Sequence, residues 1–177
     1  TRYWRDWSSD VCSSDLTERD FTLSATILTE RDGTIACRTR PEAAWVPDGK
    51  SFFVRGGRLC YDIGWVGVVT SRDRVDDGQP HHVAMTWSEA DGRVTFVIDG
   101  RESGGGTLRP SESREGEVFR IGYTAPNFPA ESGFVGTLRD VTFHDRCLTA
   151  RELNERSAAA LASFDAVDPV AGPPDDA

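Results

Sequence analysis

Hydrophobic and polar residues alternate along most of this chain. The run Phe21-Thr22-Leu23-Ser24-Ala25-Thr26-Ile27 puts Phe21, Leu23, Ala25 and Ile27 on one side, the period of two that predicts a half-buried strand. Asp32-Gly33 turns the chain into Thr34 to Cys37, and after a loop over Pro41 to Gly49 come Ser51 to Val54 and Arg58 to Ile63. Gly56-Gly57 between the last two is a hairpin signal. Val66 to Thr70 reads as the next strand, and Ser71 to Gln79 as a polar connection.

The clearest hairpin joins His82 to Trp87 with Arg93 to Ile98, where Val83, Met85 and Trp87 share one face and Val94, Phe96 and Ile98 another. Asp-Gly pairs at Asp91 and Asp99 supply the turns, and a one-residue slip would expose the whole aromatic set, so the register is fixed. Val118 to Tyr123 and Phe134 to Phe143 add two strands. One helix is expected, from the capping box Thr149-Ala150-Arg151-Glu152 to about Ala162. Evenly spaced strands without βαβ alternation predict an all-β, two-sheet antiparallel sandwich of jelly-roll type with one short C-terminal helix.

Both ends fall outside that pattern. Asp6 to Leu16, DWSSDVCSSDL, has no apolar periodicity and resembles the in-frame translation of a common short-read sequencing adapter. Residues 1–16 are therefore set apart as an artefact or disordered arm, and Trp4, Trp7 and Cys12 carry no functional weight. The domain is expected over 17–162, and 163–177, rich in Pro and Asp, as a disordered tail or linker. A start at Thr1 and an acidic end read as a fragment of a longer chain.

Composition narrows the partners. Twenty Lys and Arg against 29 Asp and Glu give a net charge of -9, which repels phosphate backbones and anionic headgroups, so nucleic acid is not expected. No apolar run approaches the roughly 18 residues that span a bilayer, so membrane insertion is not expected either. Without Cys12 the cysteines are Cys37, Cys60 and Cys147, none in a C-x-x-C pair. A Cys37–Cys60 bridge stays open beside the favoured reading of two buried thiols. His81 and His82 are adjacent on a strand, so they point to opposite faces and cannot easily hold one ion.

Two motifs go further. Asp77-Gly78-Gln79-Pro80-His81-His82-Val83-Ala84-Met85-Thr86-Trp87 with Gly92 to Gly100, and then Gly136 to Thr149, resemble the core and the closing strand of laminin-G-like domains of the concanavalin A-like lectin/glucanase superfamily. The resemblance covers roughly Asp20 to Glu155 and implies the same jelly roll. Pro80 stands where the pattern has Trp, and Arg139 where it has an acid. Some relatives use that acid for a structural calcium, which a guanidinium cannot coordinate, so Arg139 disfavours a calcium without closing the question, and no other cofactor or metal is expected.

The paired E-x-D-x-x-E acids of the superfamily's glucanases are absent, and Glu112, Glu115 and Glu117 read as a solvated loop. A glycosidase or lyase is therefore the less favoured reading. Sugars present apolar C–H faces and many hydroxyls, so their sites combine an exposed aromatic with hydrogen-bonding side chains. Trp45 with Asp48, Tyr61 and Asp62 with Trp65, and Asn127 in a Pro-bounded loop offer that combination, with Trp45 expected to be the more exposed tryptophan. Core filling or loop stapling is the competing account of the same aromatics. The expectation is a non-catalytic carbohydrate-binding module of a larger secreted or extracytoplasmic bacterial protein, its partners glycans and neighbouring domains. The alternative is a structural domain that positions a catalytic neighbour.

Overall fold

A computed structural model describes residues 19–42, 44–110 and 117–165. The expectations for 1–16, for most of the tail, and for Glu112 and Glu115 lie outside them. Among the described residues ten strands form: β1 (Phe21–Leu28), β2 (Gly33–Thr39), β3 (Lys50–Arg55), β4 (Arg58–Ile63), β5 (Gly67–Arg74), β6 (Pro80–Trp87), β7 (Arg93–Ile98), β8 (Arg101–Thr107), β9 (Val118–Ile121) and β10 (Thr137–His144). The helix α1 (Ala150–Asp165) runs three residues past Ala162. The strands make two antiparallel five-stranded sheets, one ordered β10-β1-β6-β7-β8 and the other β5-β4-β3-β2-β9. The expected β-sandwich is the observed fold.

Strand alternation explains where the core lies. Leu23 pairs with Met85, and Met85 with Phe96, so one row of apolar side chains crosses β1, β6 and β7 toward the other sheet. Phe52 of β3 meets Phe96 of β7 face to face at 6.4 Å, joining the sheets at the centre. On the far side of the first sheet, Leu148 and Leu153 pack on Ala84 and Val97. A residue as small as Ala84 lets the helix lie close to the strand. The capping box forms as read: the Thr149 N–H donates to Glu152 Oε2 at 2.8 Å, and the Glu152 N–H to Thr149 Oγ1 at 3.3 Å.

Two segments depart from expectation. β8, Arg-Glu-Ser-Gly-Gly-Gly-Thr, carries no apolar alternation, yet it pairs along β7 at the sheet edge. Its glycines are there for close approach, since a Cβ on Gly105 would sit 1.9 Å from the Val94 carbonyl oxygen. β5 continues to Arg74 through the stretch read as a polar connection, because the Ser71 hydroxyl takes the Leu59 N–H at 3.0 Å where the ladder is irregular. β5 and β8 lie against each other and close the sandwich on that side.

Cys37 and Cys60 are buried free thiols, and Cys147 is free and half-buried. The Cys37 Sγ donates to the Tyr123 carbonyl at 3.2 Å, and burial pushes its thiol up to about 11.

Candidate functional site

The six candidate residues fall unequally in and around the β5-β4-β3-β2-β9 sheet. On its outer face lie Ser51, Phe53 and Arg55 of β3 and Arg58, Cys60 and Asp62 of β4, because their neighbours Phe52, Val54, Leu59, Tyr61 and Ile63 point into the core. Two loops fold over part of it. Trp45, Ala125 and Phe128 cover Phe53 and Cys60 in a separate apolar cluster.

Trp45 is 6% exposed, which corrects the expectation that it was the more exposed tryptophan. Its ring meets Phe128 edge-on at 4.8 Å, and Phe128 meets Phe53 at 5.0 Å. Asn127 accounts for the loop's position: its Oδ1 accepts the Trp45 N–H at 2.8 Å and its Nδ2 donates to the Trp45 carbonyl at 3.0 Å. Both ends of that amide are engaged within the protein. Asp48 is 3% exposed with φ of 62°, and its N–H donates to the Gly64 carbonyl at 2.9 Å. Tyr61 lies in the core at 3% exposure, 6.3 Å from Phe21, and burial holds its phenol above the usual range. Neither Trp45 nor Tyr61 presents a ring to solvent.

Trp65 does. It is 73% exposed at the tip of the β4–β5 hairpin, in a turn closed by the Val66 N–H on the Ile63 carbonyl at 2.9 Å. Its φ is 61°, the left-handed region in which turns ordinarily place glycine and which costs a bulky residue on the order of 1–2 kcal/mol. The glycine stands one place earlier. A Cβ on Gly64 would come 2.3 Å from the Val46 carbonyl oxygen, and the Gly64 N–H donates to the Gly49 carbonyl at 2.8 Å. The turn is thus bound to the Trp45 loop, and a strained backbone holds an indole in water.

Asp62, half-buried on the same hairpin, pairs with exposed Val68. Burial raises its carboxyl to about 6, with nearby Arg55 working the other way. Between the sheets a slot lined by Phe21, Tyr61, Phe119, Phe143, Arg38 and Lys50 has about 40 Å³ of room, far below what a sugar ring needs. Beside it Arg38 and Glu117 form a buried ion pair at 3.4 Å, so Glu117 is no solvated loop acid. Nothing in the sequence pattern marked that pair, because its partners are 79 residues apart.

The histidines and Arg139 have local roles. His81 bridges Asp99 at 2.7 Å and Asp77 at 3.1 Å, and these carboxylates raise its imidazole. His82 faces the other way, where burial lowers its imidazole. Arg139, where some relatives place an acid, sets its guanidinium over the Phe164 ring at 4.6 Å and ties down the end of α1. Among the described residues, no three His, Cys, Asp or Glu gather as they would around a metal. No helix among them is long and apolar enough to cross a membrane.

Two antiparallel five-stranded sheets with one C-terminal helix define a jelly-roll class of domain. A laminin-G-type family model, described as the concanavalin A-like lectin/glucanases superfamily, matches residues 9–154, and the chain belongs to that family. The match begins inside the Asp6 to Leu16 segment. A mouse protein, "Sushi, von Willebrand factor type A, EGF and pentraxin domain-containing protein 1", is 30% identical over 111 residues, 51% of this chain and 3% of its own length. Two solved structures share the fold. One is the CBM40 of the Ruminococcus gnavus IT-sialidase bound to α2,3-sialyllactose, with a TM-score of 0.65 and 9% identity over 80% of this chain and 84% of that one. The other is domain 4 of an extracellular GH43 arabinanase from Geobacillus stearothermophilus in complex with arabinotriose, with a TM-score of 0.60 and 16% identity over 80% and 68% of the two chains.

Proposed function

We propose that this domain is a non-catalytic carbohydrate-recognition module that stacks a sugar ring on Trp65. The observation that carries the reading is that indole, 73% exposed on a backbone conformation unfavourable to it. A surface tryptophan without a role would be exchanged for glycine at this φ with a gain in stability. A flat, exposed indole suits the C–H face of a pyranose, and Asp62 on the same hairpin offers hydroxyl-accepting oxygens. Recognition is shallow and preformed, since the turn is bound to the Trp45 loop. The sugar-bound structures of the same fold support this class of ligand.

Asp48, Tyr61 and Asn127 then act behind the site by fixing the loops, and Trp45 is the staple beneath them. Secretion and attachment to further domains belong to the same proposal, as expected of a module that meets polysaccharide outside the cytoplasm. The competing scaffold reading draws on the burial of Trp45. A glycan array on the full chain, repeated with Trp65→Ala, separates the two. Binding lost in the variant is expected; a folded wild type that binds no glycan sinks the carbohydrate reading, and unchanged binding in the variant removes Trp65 from it.

A further inference from the structure

The outer face of the β10-β1-β6-β7-β8 sheet is polar where α1 and the corner before it cover it. Leu23, Ala25, Ile27 and Val83 point into the core, so their neighbours Thr22, Ser24, Thr26 and His82 lie on the opposite face, and all four are buried. His144 joins them from β10, where it pairs with Thr22. The apolar part of the contact is small. Leu148 and Leu153 meet Ala84 and Val97, but one turn further on the buried helix face is Ser157, 2% exposed, and Phe164 at the far end rests on Arg139. A segment with so few apolar contacts sits at the low end of local stability.

Three buried atoms on this face have no hydrogen-bond partner among the described residues: Thr26 Oγ1, His82 Nδ1 and His144 Nε2. Thr26 and His82 stand directly opposite across the β1–β6 ladder, so a charged His82 ring would face a neutral hydroxyl. Asp99, which faces His82 from the β7–β8 turn, already accepts the His82 N–H on Oδ1 at 2.9 Å and meets His81 Nδ1 with Oδ2 at 2.7 Å. Asp140 of β10 faces the ring from an exposed position, and Arg156 of α1 adds a like charge. Around His144 stand Arg156 again, Arg146, Asp145 and Glu152, and Glu152 is engaged by Arg146 and Thr149. Burial first, and Arg156 after it, holds both imidazoles below the usual 6.5.

From this packing we propose that α1 is an acid-released strap: protonation of His82 and His144 lifts it from the sheet while both sheets stay paired. Acid brings three cations, the two imidazoliums and Arg156, to an interface held by few apolar groups. Release returns both rings to water, where the charge is solvated. The sign follows from the depressed imidazoles, whose contribution to docking is complete above 6.5 and is lost as pH falls below it. The pivot is the corner before the helix: the Thr22 hydroxyl accepts the Leu148 N–H at 2.8 Å and donates to the Arg146 carbonyl at 2.8 Å, and neither bond titrates in this range. Swinging about that corner, α1 turns Leu153, Ala84 and Val97 to water. The strap lies on the sheet opposite the one that carries the Trp65 hairpin, so the inference stands apart from the carbohydrate reading.

The test is hydrogen exchange of the full chain at pH 7.5 and pH 5.0, read as protection factors so that the intrinsic pH dependence of exchange divides out. Protection in α1 should fall about tenfold, the equivalent of one pKa unit at one histidine, while β6 and β7 keep theirs. His82→Gln with His144→Gln should abolish the fall. Arg156→Gln, a change at an exposed position that leaves both rings in place, should move the fall to lower pH. Unchanged protection in α1 at pH 5.0, or loss of protection in α1 and β6 together, overturns the strap. A fall that persists in the Gln pair overturns it too, and should that pair not fold, a fall that Arg156→Gln leaves at the same pH does so in its place.

Discussion

Trp45 and Trp65 lie in loops that hydrogen-bond to each other, yet one is a staple and the other a free surface. Trp45 is covered by Phe128, and its backbone is held by the Asn127 amide, whereas Trp65 touches water over most of its ring and is carried by a left-handed backbone. The stapled loop supplies the Gly49 carbonyl and the Asp48 N–H that fix the Gly64 turn. Rigidity is built from one indole and presented through the other. Preorganisation of this kind lowers the ordering cost of binding, which matters at a shallow surface.

The sharpest way to break the comparison is to exchange the roles. Trp45→Ala should cost about 3–4 kcal/mol in urea denaturation, the usual range for emptying a buried aromatic site. Gly64→Ala should cost a further large amount, about 2 kcal/mol or more, since its Cβ meets backbone at 2.3 Å. Asn127→Ala, which leaves the Trp45 N–H and carbonyl without the clasp, should lose roughly 1–2 kcal/mol. Trp65→Gly should move the other way, gaining about 1 kcal/mol by relieving the positive φ while glycan binding falls at least tenfold. A Trp65→Gly protein that is less stable than wild type would show that the indole is a structural group after all.

The smallest effects are those of pH, measured as urea midpoints from pH 5 to 8. Burial lowers the imidazoles of His82 and His144 below 6.5, so the unfolded chain binds protons that the fold does not. Their contribution is complete above 6.5 and is lost as pH falls below it. His81, raised by Asp99 and Asp77, contributes fully below 6.5 and loses its contribution as pH climbs through its higher folded value. His81→Asn should therefore remove the loss on the alkaline side and leave the acid-side loss in place.

Much of the sandwich was legible because apolar alternation of period two is itself the core. β4 and β7 fall at Arg58–Ile63 and Arg93–Ile98 as read, and the capping box closes where Thr149 and Glu152 place it. β8 was hidden because an edge strand of glycines has no apolar face to show, and it exists through pairing with β7. The candidate site was legible only as residue types. Proximity to Pro47 suggested an exposed Trp45, but Phe128 and Asn127, more than 80 residues away, bury it. No local signal distinguishes a tryptophan that meets such a partner from one that does not.

By itself, then, the sequence determined the sheet-forming pattern, the hairpin turns, the helix start and the motifs of the superfamily, all set by contacts or preferences within a few residues. Tertiary structure alone decided which tryptophan faces solvent, that Glu117 pairs with Arg38 in the interior, and that Arg55, Arg58 and Arg74 stand in one row. Burial and cross-strand register depend on which distant segments meet, and that is settled by closure of the two sheets around a common core.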